Sequence, residues 1–188
     1  MQLIDGKKIA EKIKDEIANT VRQMKAKEEK LPHLAAVLVG EDPASQTYVA
    51  SKEKDCKEVG FDSSVYRYPD DISEKNLLEV IDFLNKDDEI DGFIVQLPLP
   101  KHINVNTIIE RIKPSKDVDG FHPLNIGRMA LNLPAYISAT PFGIIQLLDR
   151  YNIKTEGKHC VIVGRSNIVG SPMSVLMSRN AKNGNATV

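Results

Sequence analysis

The chain has 188 residues, 41% of them hydrophobic and 27% charged, enough for a sizeable core in one large domain or two small ones. Its 25 basic and 26 acidic side chains leave a formal net charge of −1, so no global field draws it to nucleic acid or an anionic membrane. No stretch approaches the ~18 apolar residues of a membrane span and the N-terminus has no signal-type apolar core, while the two cysteines, Cys56 and Cys160, lie far apart and read as reduced thiols; together these features predict a soluble cytoplasmic protein.

From Gly6 to Lys27, Ile9, Ile13, Ile17, Val21 and Met24 recur at spacings of four and three, one stripe of an amphipathic helix. Leu34 to Val39 is a short apolar run that ends at Gly40, as a buried strand would. Ser45 is a plausible N-cap for a helix that runs to Gly60, a residue suited to the left-handed position after a helix end. The β-branched and aromatic run Ser64 to Tyr68 predicts a strand before Pro69, and Ser73 caps a helix carrying Leu77, Leu78, Ile81 and Leu84. Phe93 to Val95 is another buried strand, stopped by two prolines. Strands alternating with helices imply a parallel sheet with helices on both faces, an α/β fold.

Thr140-Pro141 reads as the cap and first position of a helix through Tyr151, a hinge helix after which the pattern restarts. A strand from Cys160 to Val163, a glycine-bearing turn, a helix to about Ser178 and the opening of a strand at Ala186 to Val188 follow. The expected organisation is therefore a first α/β domain over residues 1–139, then residues 140–188 as hinge helix and first part of a Rossmann-like nucleotide-binding domain. A doubly wound nucleotide fold needs two βαβαβ halves, so the chain reads as truncated.

Three clusters in the first segment carry chemistry. Tyr48 and Lys52 are four residues apart on one helix face, so an aromatic wall and an amine would meet the same ligand. Gln96 follows a fully apolar strand, where an amide needs a partner or a ligand. Asp119 precedes Gly120, which lets the backbone turn tightly and expose a carboxylate able to accept two parallel N–H donors. Taken alone, Lys52 could equally be a solvated helix lysine, Tyr48 a packed tyrosine, Gln96 a satisfied strand-end amide and Asp119 a turn aspartate. Asp117 reads as a solvated or capping residue. Gly164-Arg165-Ser166 to Gly170 departs from G-x-G-x-x-G, with Ser166 at the second glycine and the last glycine one residue late, but it follows a strand and opens a helix whose amides favour phosphate. His33, His102, His122 and His159 show no metal-ligand spacing, and no metal is expected.

Tyr48-Val-Ala-Ser-Lys52, Gln96-Leu-Pro-Leu-Pro100, Lys116-Asp-Val-Asp-Gly120, Ala139-Thr-Pro-Phe-Gly143 and Gly164-Arg-Ser-Asn-Ile-Val-Gly-Ser-Pro172, in that order, closely resemble the bifunctional methylenetetrahydrofolate dehydrogenase/methenyltetrahydrofolate cyclohydrolase family. The resemblance covers essentially the whole chain. It implies oxidation of 5,10-methylenetetrahydrofolate with NADP, hydrolysis of the methenyl product to 10-formyltetrahydrofolate, and a homodimer. It further implies that Lys52 is the catalytic lysine, that Gln96 holds it in position, that Tyr48 and Asp119 bind the folate, and that Gly164, Arg165 and Ser166 contact NADP. A free lysine, with a pKa of ~10.4, is protonated at neutral pH, so proton shuttling by Lys52 calls for burial or nearby positive charge. Arg165 offers a partner for a 2′-phosphate. Ala139 stands where the family often has cysteine. Two alternatives are a folate-binding fragment without dehydrogenase turnover and another two-domain dehydrogenase on the same architecture, which the set of Tyr48, Lys52, Gln96 and Asp119 disfavours.

Overall fold

The computed structural model describes residues 3–188, which form two compact units. One comprises residues 10–116; the other comprises residues 117–188 together with the N-terminal residues through Ile9. The packing therefore divides the chain between Lys116 and Asp117, whereas the segments expected from sequence meet between residues 139 and 140.

In the first unit, helix α1 (Gly6–Ala26, whose first residues belong to the other unit) is followed by β1 (His33–Val39), α2 (Pro43–Val59), β2 (Asp62–Tyr68), α3 (Glu74–Lys86), β3 (Gly92–Val95) and α4 (Val105–Arg111). The strands form a parallel sheet in the order β2-β1-β3, with His33 opposite Asp62 and Leu34 opposite Gly92. Successive side chains of a strand point to opposite faces. Ala35, Val37 and Val39 thus join Phe93 and Val95 in a core completed by Leu77, Ile81 and Leu84 of α3 and Ile108 of α4. The intervening Ala36, Leu38 and Ile94 are also buried, as are Val49, Cys56 and Val59 of α2, which packs against β1 and β2. Each fully buried aliphatic side chain in such a core contributes about 1.5–3 kcal/mol, which makes this sheet a rigid platform.

Helix ends follow local chemistry. Gly60 closes α2 in the left-handed conformation (φ 86°), donating to the carbonyls of Cys56 and Lys57, as expected. Ser73 caps α3 by accepting from the amide of Asn76 at 3.2 Å. The start of α2 differs from expectation. Asp42 is its N-cap, Pro43 takes the first position, and Ser45 is the donor, its amide 2.8 Å from the Asp42 carboxylate. Proline pre-sets the helical φ, so Pro43 draws the start back towards Asp42. Helix α4 has only seven residues, too short for an apolar period to register.

The second unit carries α5 (Pro123–Ala130), α6 (Ala139–Arg150) and α7 (Gly170–Ser178), around Met129, Ile145, Met173, Leu176 and Met177. Tyr151 ties in the N-terminal segment, its hydroxyl accepting from the Asp5 amide at 2.9 Å. Helix α6 begins one residue before the expected Thr140 cap. Ser138 is at the cap position, but its buried hydroxyl donates to the Gly120 carbonyl instead of capping. The strands expected at Cys160–Val163 and Ala186–Val188 are not formed. They are reduced to a single parallel bridge between His159 and Thr187. The segment is covered on one face alone: Cys160 and Ile162 pack against the core of the second unit, whereas Val161 is 75% and Val163 99% exposed.

Among the described residues no helix is long and apolar enough to cross a membrane, and no group of three or more His, Cys, Asp and Glu could hold a metal. Cys56 and Cys160 are both free thiols, and burial pushes Cys56 up from the ordinary thiol range.

Candidate functional site

Lys52 and Gln96 meet in the first unit. Helix α2 holds Lys52 half-buried, and Gln96 is the residue immediately after β3. The Lys52 ammonium donates to Gln96 Oε1 at 3.2 Å. Gln96 is itself fixed twice, its backbone amide donating to Val37 O at 2.9 Å and its side-chain Nε2 to Leu97 O at 2.7 Å. With Nε2 so engaged, the amide oxygen is the atom left to face the lysine, so the amine's position follows from the sheet through one rigid residue. Tyr48, one helical turn before Lys52, is 61% exposed, an aromatic face available to a ligand beside the amine.

One concavity of this unit, about 730 Å³, is lined by Leu38, Gly40, Gln46, Thr47, Ala50, Arg67 and Tyr68 among others. Neither Tyr48 nor Lys52 lines it, because at 100° per residue Gln46 and Ala50 point to the opposite side of α2 from Tyr48. The chemistry-bearing residues and this concavity are therefore separate features.

Asp119 belongs to the other unit, half-buried at the crest of a tight turn. Gly120 adopts φ 69°, and a Cβ there would lie 2.5 Å from the carbonyl carbon of Ile137, so no other residue fits without moving the backbone. Asp117 corrects its expected role as a solvated or capping residue. It is 2% exposed and accepts from Phe121 N at 3.2 Å, His122 N at 2.8 Å and Asn125 Nδ2 at 2.8 Å. A carboxylate has about four lone-pair sites, and backbone amides just downstream saturate much of that capacity without solvent. Asn125 and Ser138 were not legible as site residues, since each reads singly as an ordinary helix or loop polar residue. The one available signal was a second aspartate three residues before a turn glycine. His122 has a structural role, its Nδ1 accepting from Leu124 N at the head of α5.

The third cluster lies before α7. Ser166 Oγ accepts from the amides of Val169 (3.1 Å) and Gly170 (3.3 Å), folding the turn back on itself. Gly164 has φ 147°, and a Cβ on Gly170 would sit 2.5 Å from Gly164 O. Gly170 is therefore required by its approach to the backbone, and Gly164 by its positive φ, despite the non-standard spacing. The Arg165 side chain is exposed beside them. A glycine-lined turn opening a helix, with a guanidinium alongside, suits a phosphate-bearing ligand.

Comparison with known proteins adds a second line of argument. The family model described as tetrahydrofolate dehydrogenase/cyclohydrolase, catalytic domain, matches residues 4–119, and its NAD(P)-binding domain counterpart matches residues 138–188. The chain is 57% identical over 188 residues to the bifunctional protein FolD of Christiangramia forsetii, covering all of this chain and 63% of that relative. It is 58% identical to the protein of the same name from Flavobacterium johnsoniae, covering 64% of it. The chain thus spans a little under two thirds of the length of these relatives. Among solved structures, the Campylobacter jejuni bifunctional enzyme FolD superimposes with a TM-score of 0.94 at 46% identity, over all of this chain and 66% of that one. The Trypanosoma brucei dehydrogenase-cyclohydrolase, complexed with NADP and inhibitor, gives 0.88 at 29% identity over 93% of this chain and 60% of its own.

Proposed function

The chain belongs to the tetrahydrofolate dehydrogenase/cyclohydrolase family, and from that membership we propose that the full-length protein oxidises 5,10-methylenetetrahydrofolate with NADP and hydrolyses the resulting methenyl compound to 10-formyltetrahydrofolate. The observation that carries this reading is the Lys52–Gln96 pair, an amine held on a rigid sheet next to an exposed aromatic face.

Hydrolysis of the methenyl bridge requires water to add to an amidinium-like carbon, a proton to leave that water, and a nitrogen to accept a proton as the ring opens. Lys52 is the group assigned to these transfers. The cationic substrate disfavours a second positive charge beside it, which favours the neutral amine able to act as base. Gln96 offers only its carbonyl oxygen to Lys52, so it orients the ammonium form and the amine's N–H without competing for the proton. Tyr48 provides a stacking surface for the aminobenzoate, and Asp119 a bidentate acceptor for the amino-pyrimidinone edge of the pterin.

NADP fits the third cluster, where the tight Gly164–Gly170 turn opens α7 and the exposed Arg165 is available to a 2′-phosphate. When bound, NADP supplies the hydride acceptor of the oxidation. Assembly as a homodimer, in the cytoplasm, completes the proposal. Absorbance-monitored turnover of 5,10-methylenetetrahydrofolate with NADP, run beside hydrolysis of the methenyl compound, tests it. Both activities in one protein support the bifunctional reading, and saturable folate binding with neither activity favours a folate-binding protein.

A further inference from the structure

Asp117 has no place in the chemistry above, yet it is one of the most thoroughly engaged carboxylates of the described residues. Its two oxygens accept from Phe121 N, His122 N and Asn125 Nδ2, while its own carbonyl accepts from Gly120 N at 3.2 Å. Both ends of the residue thus fold back over the segment 118–122, closing it into a ring with Val118 and Asp119 at the crest. The far side of that ring is pinned by the buried Ser138 hydroxyl, which donates to Gly120 O at 3.2 Å. Gly120 cannot yield, because the Ile137 and Ser138 backbone leaves no space for a Cβ.

We infer that Asp117 is a positioning residue for Asp119: its buried carboxylate, braced by Asn125, sets the direction of the Asp119 carboxylate towards the folate. This inference rests on the reading of Asp119 as the pterin-binding carboxylate. A two-pronged acceptor for parallel N–H donors works only within a narrow range of angles, so the turn that carries it must be stiff before the ligand arrives. A shape-matched amide at position 117 would lose that stiffness, since it keeps one acceptor oxygen and turns an N–H₂ towards donors.

The experiment is a kinetic double-mutant cycle in the full-length protein with Asp117→Asn, Asp119→Ala and the pair combined. Loss of charge-assisted hydrogen bonds predicts a rise of about ten- to a hundredfold in the KM for folate substrate with Asp117→Asn, equal in the dehydrogenase and hydrolysis assays. The expected kcat stays within about threefold, and the KM for dinucleotide does not move. Added to Asp119→Ala, the Asp117→Asn change has no further effect, because it acts only through Asp119. A merely structural carboxylate would instead multiply with Asp119→Ala and would move kcat or dinucleotide KM as well, which overturns the inference. Wild-type folate KM in Asp117→Asn overturns it too. Unchanged folate KM in Asp119→Ala alone rejects the underlying assignment of Asp119 and the inference with it. Where circular dichroism shows that Asp117→Asn is unfolded, Asn125→Ala carries the same test, with a smaller rise in folate KM expected and no change refuting the role.

Discussion

Two regions of the chain carry nearly the same sequence pattern and end in different structures. Leu34–Val39 and Cys160–Val163 are both short apolar runs followed by a glycine turn and a helix. The first is the centre of a three-stranded sheet, with Ala35 and Val37 fully buried. The second has a single bridge beside it, between His159 and Thr187, packs Cys160 and Ile162 on one face and leaves Val163 99% exposed on the other. Pattern sets which conformation a segment favours, but a strand becomes structure only where partners lie on its edges and something covers its faces. Function follows the same division. Lys52 and Gln96 are held by finished elements, whereas the Gly164–Gly170 turn relies on its own internal bonds through Ser166.

The sharpest way to break this comparison is to truncate one side chain in the sheet that holds Leu34–Val39, on the neighbouring strand β3, and one in Cys160–Val163. Phe93→Ala, at a residue 1% exposed, should lower unfolding free energy by about 3–5 kcal/mol in urea denaturation. Val163→Ala should change it by less than about 0.5 kcal/mol, and a cost near that of the Phe93 change would mean that the segment is packed in solution.

A smaller contrast uses two glycines of the second unit. Gly120→Ala forces a side chain into a left-handed backbone against Ile137 and Ser138, with an expected loss of about 2 kcal/mol or more. Gly143→Ala, in the interior of α6 with open space around it, should stabilise by about 0.5–1 kcal/mol. Melting temperatures moving in opposite directions would confirm that the turn around Asp119 is tight where the nearby helix is not.

The smallest expected effect concerns pH in the first unit, where Arg111 pairs with Asp82 through two 2.6 Å bonds between α4 and α3. The hydrogen bond from the Arg111 guanidinium holds the Asp82 carboxyl below its ordinary value of 3.8. A depressed carboxyl contributes stability that is fully present above its unfolded value and is lost as pH falls through the folded one. The two side chains are 54% and 33% exposed, so solvent screening leaves the contribution small. Asp82→Asn should therefore lower stability slightly at pH 7 and flatten the acid limb below pH 4, and an unchanged acid limb would remove the pair from the balance.

Most of the first unit was legible because its signals are local: apolar period, a glycine after a helix, a serine before one. The start of α2 shows the limit, since Asp42, Pro43 and Ser45 all suit a helix head and only the fold ranks them. The two short helices α4 and α5 carry too few turns for a period to emerge. In the candidate site, Tyr48, Lys52, Gln96 and Asp119 stood out as reactive side chains at strand ends, turns and one helix face, and the family resemblance supplied their expected roles. Asp117 escaped the same reasoning because its partners are backbone amides, which every sequence contains and none advertises.

The most direct test of the central assignment is hydrolysis of 5,10-methenyltetrahydrofolate by Lys52→Met in the full-length protein, with folate binding followed in parallel. Removing a general acid–base group while keeping the length and bulk of the side chain should lower turnover by about 10²–10⁴-fold and leave folate affinity within about threefold. Turnover equal to that of the unaltered protein would contradict the assignment of Lys52 as the proton-transfer group, and with it the role given to Gln96.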